Sequence, residues 1–75
     1  MGFKFKLQDI VKIKDEVYKQ EKYKIYSSEG FVILRCESSE GIFYRLNLEL
    51  KGTGDMFSVL VKEEDITFLG NIKNA

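Results

Sequence analysis

Ile42-Phe43-Tyr44-Arg45-Leu46-Asn47-Leu48-Glu49-Leu50-Lys51 is the stretch that decides the fold class. Ile42, Tyr44, Leu46, Leu48 and Leu50 alternate without a break against Phe43, Arg45, Asn47, Glu49 and Lys51. Successive side chains of a strand point to opposite faces, so this ribbon has one apolar side and one mostly polar side. An antiparallel sheet tolerates that division, with one face on the core and one toward water. The chain is therefore expected to be small, antiparallel and all-β.

The flanking segments can be set against this ribbon. Residues 31–36 read as a strand apolar on both faces, 37–41 as a polar loop, and 56–62 as a further strand after the Gly52-Thr53-Gly54-Asp55 loop. Antiparallel partners across a hairpin have a constant index sum. Joining Cys36 to Ile42 pairs Leu34 with Tyr44 and Val32 with Leu46. Joining Leu50 to Phe57 pairs Leu48 with Val59 and Leu46 with Val61. Every pair is apolar, and a one-residue slip in either hairpin would turn an apolar row to the wrong face. Both loops thus point to one inner face, and residues 31–62 are expected to form a three-stranded meander. Such a meander cannot cover its own apolar face, so the N-terminal part must fold over it.

In that part, Phe3, Phe5 and Leu7 alternate with Lys4, Lys6 and Gln8, and residues 10–14 continue as a strand with Val11 and Ile13 on one side. Residues 15–21 read as a loop or at most one helical turn. Residues 22–27 read as a strand with Tyr23 and Ile25 inward, closed by a Ser28-Glu29-Gly30 turn. After residue 62 come a short turn over 63–65 and a last strand over 66–69. The expected organisation is one domain over residues 1–70 and a flexible C-terminal tail over 71–75, in which Ile72 is apolar enough to dock.

Seventy-five residues bury only about 60% of the surface of the unfolded chain. Disulfides or metals often compensate, but Cys36 is the one cysteine and histidine is absent. A single unpaired thiol suits a reducing compartment. No apolar run approaches the roughly 20 residues that span a bilayer, and lysines interrupt the first segment where a secretory signal would be apolar. The expected location is cytoplasmic. Twelve basic and twelve acidic side chains give a net charge of zero, unlike the basic excess of an obligate nucleic-acid binder. The distribution is uneven. Residues 1–26 carry seven lysines against four acids, a net +3, and residues 27–75 carry five basic groups against eight acids, a net −3.

Leu7-Gln8-Asp9-Ile10-Val11-Lys12-Ile13 resembles the opening of the SH3-like barrels of small bacterial and phage proteins, where an apolar residue and Gly-Asp precede alternating Val or Ile. Val59-Leu60-Val61-Lys62-Glu63-Glu64-Asp65-Ile66 is similar to their close: a strand, one acidic helical turn and a short last strand. Gln8 stands where the glycine usually does. The resemblance implies a small antiparallel SH3-like barrel of five to six short strands with a one-turn helix before the last. It also implies a phage or mobile-element accessory protein. Eukaryotic SH3 domains grip proline-rich ligands in a Trp-lined groove, and this chain has no tryptophan. KOW-type modules carry a glycine before the second strand, where this chain has Gln20-Glu21-Lys22.

No catalytic pattern is present. Without histidine there is no side chain whose ordinary pKa suits a general base near neutrality. Cys36 falls in the inward row and reads as core. Glu63, Glu64 and Asp65 are consecutive, so they point in different directions. They also lack the alternating oxygen ligands and glycine of a calcium loop. The 52–54 loop is too short for a phosphate loop. The chain is expected to be no enzyme and to take no metal or other cofactor.

Two surfaces remain. The registers place Phe31, Ile33, Arg35, Phe43, Arg45 and Leu60 together on the outer face of the meander, and aromatic residues mixed with arginine are the composition of protein interfaces. This is the expected partner-binding set, unless Phe3, Phe5 or Ile72 folds over it. The alternative is a nucleic-acid surface formed by Lys12, Lys14, Lys22, Lys24 and Tyr26 on two paired strands, with Tyr18 as a further stacking ring. Lysines on exposed strands equally serve to block unwanted sheet addition. A third reading is a self-associating structural protein, a homodimer through the Phe43 face or through an edge strand.

Overall fold

A computed structural model describes residues 2–71. The elements are β1 (Asp9–Ile13), α1 (Asp15–Tyr18), α2 (Glu21–Lys24), β2 (Tyr26–Ser38), β3 (Gly41–Leu50), β4 (Met56–Lys62), a 3-10 turn (Glu63–Asp65) and β5 (Ile66–Asn71). The five strands form one sheet in the order β4-β3-β2-β1-β5, antiparallel at every junction. The protein is all-β, with a single helical turn before the last strand. Asn71 belongs to β5, while Ile72 and the rest of the expected tail lie outside the described residues.

The inner face follows the parity of the ribbon. Tyr44, Leu46 and Leu48 on β3 are fully buried, as are Val32 on β2 and Val11 and Ile13 on β1. Val61, Ile66, Phe5 and Tyr23 complete the core. Burying each such side chain is worth roughly 1.5–3 kcal/mol, which is where a chain this small must find its stability.

The registers are finer than parity and differ from expectation. In the first hairpin Phe31 pairs with Asn47 and Val32 with Leu46, as expected, but Leu34 then pairs with Arg45, Arg35 with Tyr44 and Cys36 with Phe43. A β-bulge at Ile33 shifts the register by one, and a one-residue shift exchanges faces. Leu34 and Cys36 therefore lie outside, and both are exposed. Cys36 is not the core residue its position suggested. In the second hairpin Leu48 pairs with Phe57, Leu46 with Val59 and Tyr44 with Val61. This is two residues from the expected register, so every side chain keeps its face. The cause is a tighter loop. Gly52 and Gly54 take φ of 75° and 80°, conformations open to glycine, and Leu50 N–H already donates to Asp55 O at 2.8 Å.

The N-terminal third departs further. Residues 3–8 are not a strand; Phe5 enters the core while Leu7 is exposed. Phe5 and Phe3 pack edge-on against Tyr44, with centroids 5.4 and 6.1 Å away. Lys22 and Lys24 lie on α2, not on a strand. Tyr23 is buried from that helix and Ile25, expected inward, is exposed. Side chains two apart share a face of a strand but not of a helical turn, so here Tyr23 is buried while Ile25 is exposed. The expected turn at Gly30 does not exist either, because residues 26–38 form one long bent strand. Gly30 is required there for another reason. A Cβ would stand 2.3 Å from Asn47 O and 2.5 Å from Leu48 Cδ2.

The opening turn is held by Asp9, which is buried. Its carboxylate accepts from Lys6 N at 2.9 Å and from Asn71 Nδ2 at 3.2 Å. Gln8 adopts φ 70°, the left-handed region that non-glycine residues enter at a cost. Its N–H donates to Val32 O at 2.7 Å, which ties the turn to β2.

Candidate protein-binding face

The outer face is built by the strands that bury the core. On β3 it presents Phe43, Arg45, Asn47 and Glu49. Opposite them on β4 stand Lys62, Leu60, Ser58 and Met56. On β2 it presents Phe31, Leu34 and Cys36, with Ile33 at the bulge, and on β1 Ile10 lies beside Phe31. Leu34 is 50% exposed, Leu60 46% and Ile33 40%, whereas Phe31, Phe43, Arg45 and Ile10 are half-buried. Arg45 spans two strands, its Nη1 donating to Ser58 Oγ at 3.3 Å.

Five of the six expected residues, Phe31, Ile33, Phe43, Arg45 and Leu60, thus meet on this side. Arg35 does not. The bulge places it opposite Tyr44, where its guanidinium lies 4.8 Å from the Phe3 ring centroid and Nη1 reaches Phe5 O at 3.5 Å. It anchors the N-terminal arm. Leu34 and Cys36 take the places expected of Ile33 and Arg35. No sequence signal marks the change, because Ile33 and Leu34 suit a strand on either face. Phe3 and Phe5 pack on the inner side and leave the outer face uncovered. The residue named as a further cover, Ile72, lies outside the described residues.

At one end of this face is a hollow of about 220 Å³ lined by Lys22, Tyr23, Phe43, Leu60, Val61, Lys62 and Asp65. It runs along β4 beside α2.

The inner side carries the polar network that holds the arm. Tyr44 Oη donates to Glu63 Oε2 at 2.5 Å and accepts from Phe5 N at 3.1 Å. Lys4 N donates to the same Glu63 oxygen at 2.9 Å. Burial pushes the Tyr44 hydroxyl above its ordinary pKa, and the bond to Glu63 adds to the rise. The Tyr44 hydroxyl holds the Glu63 carboxyl below its ordinary value, assisted by the Lys4 backbone and charge. Charge-assisted bonds of this kind fix geometry.

The expected lysine ladder is not assembled. Opposite Lys12 stand Glu29 on β2 and Thr67 on β5. Lys12 pairs with Asp15 at 3.4 Å and Lys24 with Glu21 at 3.7 Å. Lys22 lies over the ring of Tyr23, 5.1 Å from its centroid. A hollow of about 270 Å³ beside Lys12 and Lys14 is lined equally by Asp15 and Glu16. Tyr26 opens β2, with its carbonyl accepting from Tyr18 Oη and its ring 6.2 Å from that of Phe57. Among the described residues no helix is long and apolar enough to cross a membrane. Comparison of the chain with protein-family models, with curated proteins and with solved structures finds no match.

Proposed function

We propose that this is a non-enzymatic binding module, an SH3-like barrel in design, that engages another protein through the outer face of its central strands. The observation that carries the reading is the cluster of Phe31, Ile33, Leu34, Phe43 and Leu60 around Arg45, on a face that the chain's own N-terminal aromatics leave open. Apolar groups gathered in one patch rather than scattered singly mark interaction surfaces, and arginine among aromatics is what a contact hot spot uses. The 3-10 turn between β4 and β5 and the left-handed backbone at Gln8, where glycine usually stands in such barrels, support the architectural kinship. That kinship in turn suggests a cytoplasmic accessory protein of a phage or mobile element.

The test is residue-specific. A photo-reactive group at position 34, replacing Leu34, is expected to cross-link a partner in host lysate, and Phe43→Asp with Arg45→Glu is expected to abolish that product. A folded double variant that still gives the same cross-linked partner would sink the reading.

A further inference from the structure

The sheet has two edges, β4 and β5. They are not alike. The register of β5 against β1 is broken between Ile10 and Val11, and such irregularity protects an edge. β4 pairs with β3 at all seven of its positions without a break. Its free edge reads Met56-Phe57-Ser58-Val59-Leu60-Val61-Lys62, with no proline, no acid and one lysine at its end. Met56, Phe57 and Leu60 are each 46% exposed. A regular, apolar edge is a template for another strand.

The backbone directions set which groups of this edge are unpaired among the described residues. Leu50 N–H donates to Asp55 O, so Asp55 faces β3. Backbone groups alternate along an antiparallel ladder. Phe57, Val59 and Val61 therefore also face β3, and Met56, Ser58, Leu60 and Lys62 turn their N–H and C=O outward.

We propose that the occupant of this edge is β4 of a second copy, antiparallel, about a two-fold axis at Val59. This association goes beyond the partner-binding reading and does not depend on it. In this register Ser58 meets Leu60 of the second copy and Met56 meets its Lys62, so every outward backbone group of both strands finds a partner. The side chains agree with the backbone. The lysine at one end of the strand falls beside Met56, whose neighbour on β3 is Glu49, so opposite charges approach and no lysine faces a lysine. On the other side of the ribbon Phe57 falls opposite Val61 of the second copy. That sets an exposed ring beside an apolar side chain. The two-fold repeats each contact, as an isologous interface requires.

Light scattering after size exclusion, from about 10 μM to about 1 mM protein, is expected to show a mass rising toward twice that of one chain by mass action. Ser58→Pro removes an N–H that faces away from β3, so it is expected to leave a folded monomer by circular dichroism. Val59→Cys in a Cys36→Ser background tests the register, because only a residue on the two-fold meets itself at the close spacing of a non-hydrogen-bonded pair. It is expected to form a 59–59 disulfide on mild oxidation, whereas Phe57→Cys in the same background is not. A mass of one chain throughout the range overturns the proposal, whether or not the edge takes an extended peptide instead. So does a dimer that survives Ser58→Pro and is lost in Phe43→Asp, which would place the contact on the sheet face. A dimer without the 59–59 disulfide overturns the register.

Discussion

Tyr44→Phe removes one oxygen atom and leaves a fully buried ring in its T-shaped contacts with Phe3 and Phe5. That oxygen accepts from Phe5 N–H and donates to Glu63. Without it the buried Phe5 N–H is unmet, at about 1–3 kcal/mol, and the half-buried Glu63 carboxylate loses a charge-assisted bond. Water and the Lys4 N–H still reach Glu63, so the second loss lies at the low end of its range. The two together come to about 2–4 kcal/mol, set against about 4–11 kcal/mol for a domain of this size. The sign of the pH dependence follows from Glu63, whose carboxyl is held below its ordinary pKa in the folded chain, chiefly by Tyr44. That stabilisation is fully present above the unfolded value of about 4.3 and is lost as pH falls through the folded one. Phenylalanine removes the main cause of the shift. The gap between the two proteins should therefore be widest near pH 7 and narrow below about pH 4. Urea denaturation of both proteins at neutral and acid pH measures it. A loss below about 0.5 kcal/mol at pH 7 would refute the hydrogen-bond bookkeeping, and a gap of the same size at both pH values would refute the role given to Glu63.

Four further outcomes are expected. Gly30→Ala drives a methyl group into Asn47 O and Leu48 and should cost at least about 2–3 kcal/mol; a melting temperature unchanged from the parent chain would mean that β2 and β3 are not so close. Gln8→Gly relieves a left-handed cost of about 1–2 kcal/mol and adds about 0.4–1 kcal/mol of unfolded-state entropy, so thermal melts should show a small net gain, and a loss would contradict it. At alkaline pH the raised Tyr44 hydroxyl stays protonated where its unfolded counterpart ionises, so stability should fall as pH climbs past about 10. Denaturation of Tyr44→Phe should lack that share of the decline, and an identical alkaline limb in both proteins would refute it. Finally, gel shifts with duplex and single-stranded DNA at low salt should show no complex, since Lys12 and Lys24 are ion-paired and Lys22 and Lys24 lie on α2; binding that collapses steeply with salt would reinstate the nucleic-acid reading.

The alternation from Ile42 to Leu50 was enough to place Tyr44, Leu46 and Leu48 in the core, because side-chain parity is a property of the strand itself and needs no partner. The strand over 56–62, the turn over 63–65 and most of the outer apolar cluster could be read on the same ground. What the sequence could not determine were relations between segments. Whether Leu48 meets Val59 or Phe57 depends on how tightly two left-handed glycines let a loop close. Whether Arg35 or Cys36 faces outward depends on a bulge at Ile33, which exchanges faces without changing composition. Tyr23 points inward from a strand or from one helical turn, and only the exposure of Ile25, two residues on, tells the two apart. Gly30 looked like punctuation and proved to be a close approach to Asn47, a contact seventeen residues away in the chain. Local stereochemistry alternates side chains whatever lies nearby; register, bulges and contacts between distant segments are decided only when the whole core packs.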